Sequence, residues 1–269
     1  MEPVHPIEHL RYVARSRGGD PADRARETAI ALGSLRADPA NLVVASRRIV
    51  GRHPEAGQMW WLCAQLLLAD DPSSLAWDLA DRLVADPVVD VLTRGLPECA
   101  TVVTIGDPRT IGDALAERPD LRVWCADSGH RAVDLLRRLD RAEVACEPVP
   151  TEALARAIEH ADGVLVECAA ACPQRVLAAL GSQVVAAAAH AVGTPVWLVA
   201  PTGTRLPNPY VDEVARHTIA DTEWDASLDD LAVDLIDIVV NADGCSPNVA
   251  VALRPECSFA PELLRTGIV

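Results

Sequence analysis

The stretch that decides the fold runs from residue 160 to residue 205 and reads HADGVLVECAAACPQRVLAALGSQVVAAAAHAVGTPVWLVAPTGTR. Within it, GVLVE (163–167) and PVWLVA (195–200) are short aliphatic runs of strand length. Between them SQVVAAAAHAV (182–192) is helical, with Ser182 placed as N-cap and Gly193 as the C-terminal stop. A strand, a helix and a second strand form a right-handed crossover, so the two strands lie parallel in one sheet. Strands without polar alternation are buried on both faces, which puts helices above and below that sheet.

The same alternation extends upstream. Strands are expected at TVVTI (101–105), LRVWC (121–125) and AEVAC (142–146). Helices are expected over about 109–118, 129–139 and 151–161, the last capped by Thr151. No strand signal precedes residue 95. There IEHLRYVARS, a run opening at Pro21 behind Asp20, and NLVVASRRIVGRH all carry helical spacing. GQMWWLCAQLLLADD is almost wholly apolar and reads as a buried helix, and Leu75, Leu79 and Leu83 follow at i, i+4, i+8. Downstream, DDLAVDLIDIVV fits either helix or strand. The fold class is therefore α/β: a helical N-terminal segment (1–95), then a Rossmann-like domain (96–269) whose mainly parallel sheet is flanked by helices. Ligands bind such sheets at the carboxyl ends of the strands. That selects the loops 106–109, 126–129, 147–150, 168–182 and 201–209.

Composition narrows the function. All 24 basic residues are arginine. Without lysine there is no Schiff-base nucleophile and no phosphate-loop lysine. The net charge of −15 argues against a nucleic-acid partner, because phosphate contacts need a positive face. No apolar stretch is long enough to span a bilayer, and the opening MEPVHPIEHL does not read as a signal peptide, so a cytoplasmic protein is expected. The eight cysteines are too sparse for a disulfide scaffold. Cys168 and Cys172 form a C-x-x-x-C, but no second pair completes a zinc site, so neither metal nor cofactor is expected.

Taken together, these segments resemble a known family. The block from His160 to Arg205, the turn and helix in VVTIGDPRTIGDAL, and the closing PECSFAPELLRTGIV are similar in order and spacing to the initiation-factor-2B-like proteins. These include the regulatory subunits of eukaryotic translation initiation factor 2B, methylthioribose-1-phosphate isomerase and ribose-1,5-bisphosphate isomerase, within the NagB/RpiA/CoA-transferase-like superfamily. The resemblance implies a phosphorylated sugar or nucleotide as ligand and pairing into a homodimer. It places a phosphate on the helix start at Gly181 and Ser182 and on Arg109, with Arg17 a weaker match; an ordinary helix cap and a solvated arginine are the plainer readings. It also exposes departures. Gly106 stands where the isomerases carry cysteine, and Ala169 where they carry an acid. Ala126-Asp127-Ser128-Gly129 replaces a Glu-x-Arg-Pro motif. A non-catalytic protein in a regulatory or assembly role is therefore expected, and a structural dimer without ligand is an alternative. The acids and thiol left for relocated isomerase chemistry are Asp107, Asp127, Glu167 and Cys168, each of which also has a plain reading as helix cap, loop acid or core thiol.

Overall fold

The computed structural model describes residues 21–34, 39–126, 132–218 and 226–264. The expected helix near residues 7–16, together with Arg17, Asp20 and Asp127, lies outside them. Among the described residues there is no strand before residue 95. Five helices fill that region: α1 (Pro21–Gly33), α2 (Pro39–Arg52), α3 (Gly57–Leu67), α4 (Pro72–Val84) and α5 (Val88–Gly95). Pro72 opens α4 where a missing N–H costs nothing, and the Asp71 carboxylate accepts the N–H groups of Ser73 and Ser74. Helix α3 buries Met59, Trp60, Trp61 and Leu62, as its largely apolar sequence demands.

Strand β1 (Thr101–Ile105) begins the sheet, followed by α6 (Arg109–Ala116), β2 (Arg122–Ala126), α7 (Val133–Arg141), β3 (Ala145–Val149) and α8 (Leu154–Glu159). Then come β4 (Gly163–Cys172), β5 (Arg175–Ala179), α9 (Ser182–Val192), β6 (Val196–Val199) and α10 (Asn208–Thr218). The chain closes with β7 (Leu228–Leu231), β8 (Ile238–Asn241), β9 (Gly244–Ser246) and α11 (Val249–Ala252). The sheet order is β3-β2-β1-β4-β6-β8-β9, parallel from β3 to β8. Chain order runs outward from β1 to β3 and then resumes on the other side at β4. The switch point, where a crevice opens, lies between β1 and β4.

Four expectations are corrected. The stretch 168–182 is largely not a loop. Strand β4 runs on to Cys172, turns at Pro173-Gln174 and pairs antiparallel with β5, which pairs antiparallel with β7. Strand β3 lies three residues later than expected, because Glu143 adopts a left-handed φ of 60° and ends the turn after α7. Pro148 sits in β3 because that strand is at the sheet edge, where a missing N–H is tolerated. The N-cap of α9 is Gly181, with a left-handed φ of 99°, and Ser182 is the first helical residue. Thr151 likewise caps no α-helix but opens a 3-10 turn ahead of α8. DDLAVDLIDIVV resolves into β7, a 3-10 turn and β8.

The core has three parts. Helices α1–α4 pack with Ala170, Cys172, Leu177 and the α10 residues Tyr210 and Val214. One face of the parallel sheet packs on α8 and α9, through Val164, Val166, Ile158 and Val185. The other face packs on α5, α6 and α7, through Leu165, Leu92, Ile111 and Leu135.

Candidate functional site

A cleft of about 560 Å³ opens at the carboxyl ends of β1, β4 and β6. Its sheet side is formed by Arg109, Thr110, Asp113, Glu167, Cys168, Pro201 and Thr204, and its other side by Glu55, Gly57, Gln58, Leu83, Asp86 and Val89 from the helical segment. The cleft therefore sits at the switch point and is closed over by the N-terminal helices.

Helix α6 points its N-terminus at this cleft. Its N-cap is Pro108, which has no side chain able to cap, so the free N–H groups need another partner. Glu167, at the end of the parallel part of β4, supplies it. The Ile111 N–H donates to Glu167 Oε2 at 3.0 Å, and the N–H groups of Arg109 and Thr110 also favour the carboxylate. Burial outweighs these donors and pushes the Glu167 carboxyl from its ordinary 4.5 up to about 7. Beside it, Cys168 donates to Thr204 Oγ1 at 3.4 Å, and burial pushes its thiol up to about 12.

Arg109 reaches Asp113 one turn on, Nε to Oδ2 at 3.2 Å. Arg138 binds the same carboxylate at 3.2 Å, donates to the Arg109 carbonyl and stands 3.7 Å from Asp107. Burial raises the Asp107 carboxyl against the pull of Arg138. Gly106 has a φ of 72°, a backbone that favours glycine. Ala169 is the irregular residue of β4, where the pairing with β5 shifts register. Its carbonyl oxygen would stand 2.2 Å from any Cβ placed on Gly57, so α3 rests directly on the bulge.

Gly181 and Ser182 do not line the cleft. The N–H groups of Gly181 and Gln183 donate to Asp229 Oδ2 at 2.7 and 3.0 Å, so a carboxylate of the chain itself sits on the α9 N-terminus. The buried Ser182 hydroxyl caps nothing. Two further loops are served in the same way. The N–H groups of Gly203 and Arg205 donate to Glu256 Oε1 at 2.8 and 3.2 Å, and the Thr202 N–H and hydroxyl donate to Asp86 at 2.8 and 2.9 Å. Reasoning from sequence missed Asp86, Asp229 and Glu256. Each lies 46 or more residues from the loop or helix-start donors just named, so sequence proximity does not pair them.

Solved structures similar to this chain include initiation factor 2B subunits. Translation initiation factor eIF-2B of Pyrococcus horikoshii OT3 superposes with a TM-score of 0.73, over 92% of this chain and 98% of that one, at 13% identity. The fold is that of the initiation factor 2B subunits. For eIF2B beta from Chaetomium thermophilum the TM-score is 0.74, at 14% identity over 92% of this chain and 90% of that one. For eIF2B delta from the same organism it is 0.68, at 15% identity over 89% and 98%. No protein-family model and no curated protein matches the sequence. An initiation-factor-2B fold is thus carried by a sequence in which four carboxylates, Asp86, Glu167, Asp229 and Glu256, accept backbone N–H groups from distant parts of the chain. Among the described residues no helix is long and apolar enough to cross a membrane, and no His, Cys, Asp and Glu side chains group to hold a metal.

Proposed function

We propose that this chain acts by binding rather than by catalysis: a regulatory or assembly protein of the initiation factor 2B fold whose cleft takes a small molecule. The observation that carries the reading is the state of the groups left to move a proton between sugar carbons. The Cys168 thiol, at about 12, supplies no thiolate near neutrality. Asp107 is tied to Arg138 and Glu167 to the α6 backbone. Gly106 and Ala169 stand where the resemblance places the isomerases' thiol and acid. The phosphorylated ligand has less support, because Asp229 holds the donors of the α9 start and Asp113 holds Arg109.

The test is turnover of methylthioribose-1-phosphate and ribose-1,5-bisphosphate, run beside a thermal-shift screen of small metabolites. The expected outcome is no isomerisation and a ligand-dependent rise in Tm. Turnover well above background overturns the reading. A second reading, an isomerase with relocated residues, has one observation in its favour: a carboxyl titrating near 7 in a cleft suits proton transfer. Turnover that is present and abolished by Glu167→Gln would establish it.

Self-association belongs to the same proposal. The outer face of α9 presents Val184 and Val192, 63% and 47% exposed, with alanines between them. Exposed apolar side chains grouped on one face of a helix are ordinarily covered by a partner. The structurally similar beta2-delta2 complex of eIF2B from C. thermophilum, matched at a TM-score of 0.70 and 17% identity over 90% of each chain, is itself tetrameric.

A further inference from the structure

We infer that the ligand of the cleft is an uncharged polyol, a small molecule recognised through its hydroxyl groups and carrying neither a phosphate nor an amine. The inference rests on the proposal that the cleft binds a small molecule, and it adds the chemical class. It begins with Thr110. This residue lines the cleft at the start of α6 and is only 8% exposed. Its N–H favours the Glu167 carboxylate, but among the described residues its hydroxyl forms no hydrogen bond. Buried hydroxyls are ordinarily paired, and the cleft is where a partner from outside the chain can reach this one. The unpaired hydroxyls of Ser46, Thr104 and Ser182 differ, since those side chains are wholly covered and do not line the cleft. On the opposite wall, Gln58 gives its amide N–H to the Thr202 carbonyl at 3.1 Å, which leaves its side-chain oxygen to accept.

Charge is already settled within the walls. Asp113 is shared by Arg109 and Arg138, each at 3.2 Å. Asp86 accepts from the Thr202 N–H and hydroxyl and from the Val88 N–H. Glu167 takes the α6 start, and burial leaves its carboxyl part neutral near pH 7. Glu55 is exposed, so water solvates it. A phosphate would meet these acids with no free donor to offset its desolvation, and an ammonium would compete with partners the carboxylates already hold. A hydroxyl carries both a donor and an acceptor and needs no counter-charge, so one can pair with Thr110 and another with Gln58. Leu83, Val84 and Val89 give the carbon skeleton an apolar wall, and about 560 Å³ is ample for a molecule of monosaccharide size.

The experiment is titration calorimetry on the full chain with ribose, glucose and myo-inositol as uncharged probes, and ribose 5-phosphate and glucosamine as charged counterparts. The expected result is saturable binding of at least one uncharged probe, with both charged counterparts about ten-fold weaker or more. Thr110→Val keeps the shape of the side chain and removes the hydroxyl, and should weaken that binding about five-fold, the size of one neutral hydrogen bond. Its Tm should stay that of the parent, because no internal hydrogen bond is lost. Thr110→Ser keeps the hydroxyl and should keep the affinity. Binding that Thr110→Val leaves unchanged overturns the inference, as does a charged counterpart that binds as tightly as the best uncharged probe. A lowered Tm in Thr110→Val would mean that the hydroxyl has an internal partner, which overturns it too. If no uncharged probe binds, the polyol class falls. A rise in Tm with another metabolite then leaves the cleft as a binding site, whereas a blank thermal-shift screen overturns the binding proposal with it.

Discussion

The carboxylate of Glu167 caps the helix that begins at Arg109 by accepting the N–H of Ile111 at 3.0 Å, across 56 positions of chain. A helix start is an anion site by construction, because its N–H groups are free and the macrodipole is positive there. In this protein the anion is part of the chain. One carboxylate thereby fixes the end of β4 to α6 and settles the polarity of the cleft.

The first consequence is a dependence of stability on pH. Glu167 titrates at about 7 in the folded protein and near 4.5 when unfolded. Its folded value is raised, so its contribution is fully present below about 4.5, is lost as pH rises through the window to about 7, and stays lost above that. At about 1.4 kcal/mol per unit the loss is on the order of 3 kcal/mol. Urea denaturation between pH 4.5 and 8 should show this decline, and Glu167→Gln should flatten it. An unchanged slope in the variant would assign the decline to other groups.

Glu167→Ala should behave differently from Glu167→Gln. Alanine leaves the N–H groups at the start of α6 without their partner, at a cost of about 1–3 kcal/mol. Chemical denaturation at pH 8 should place the alanine variant below the glutamine variant by that margin.

Tyr210 and Ala260 form a closed pair. The tyrosine hydroxyl donates to the Ala260 carbonyl at 2.9 Å and accepts its N–H at 2.7 Å, both buried. Tyr210→Phe keeps the packing against Trp60 and Phe259 but strands a buried donor and a buried acceptor. The expected loss is about 2–3 kcal/mol, read from the urea midpoint at constant m-value.

Gly57→Ala should be among the most damaging small substitutions. The new methyl would stand 2.2 Å from the Ala169 carbonyl, which is backbone and cannot swing aside. Helix α3 and the β4 bulge would have to part, with a drop in Tm of several degrees, about 2 kcal/mol or more. A variant as stable as the parent would mean that this contact yields easily.

Val184→Glu tests assembly. The side chain is 63% exposed on α9, so a lone chain should keep its Tm within about 1 kcal/mol. Light scattering should show a dimer for the parent and the 28.7 kDa monomer for the variant. A parent that is already monomeric at micromolar concentration removes the self-association proposal.

The parallel order of the sheet was legible because Val164 to Val166 and Val196 to Val199 are aliphatic runs split by a bounded helix. The antiparallel extension was not. Ala169 to Cys172 has little strand preference of its own, and its extended backbone depends on partners at Arg175–Ala179 and Thr204. The cleft was legible as a location, since Arg109, Glu167 and Cys168 do meet there. Its charge was not, because the acids from the helical segment and the pairing of Gly181 with Asp229 arise only when distant parts of the chain come together.

Strand β4 bears on how the chain acquires its structure. Its first half, through Val164 and Val166, belongs to the core beneath the parallel sheet, and its second half, through Ala170 and Cys172, to the core of the N-terminal helices. One continuous run of backbone thus serves two clusters that look separable in sequence. Neither cluster is complete without it, so a chain cut after residue 95 would leave Trp60 and Met59 facing water where Ala170 and Leu177 had been. The helical segment and the sheet should melt together in a single cooperative transition rather than as two independent folding units.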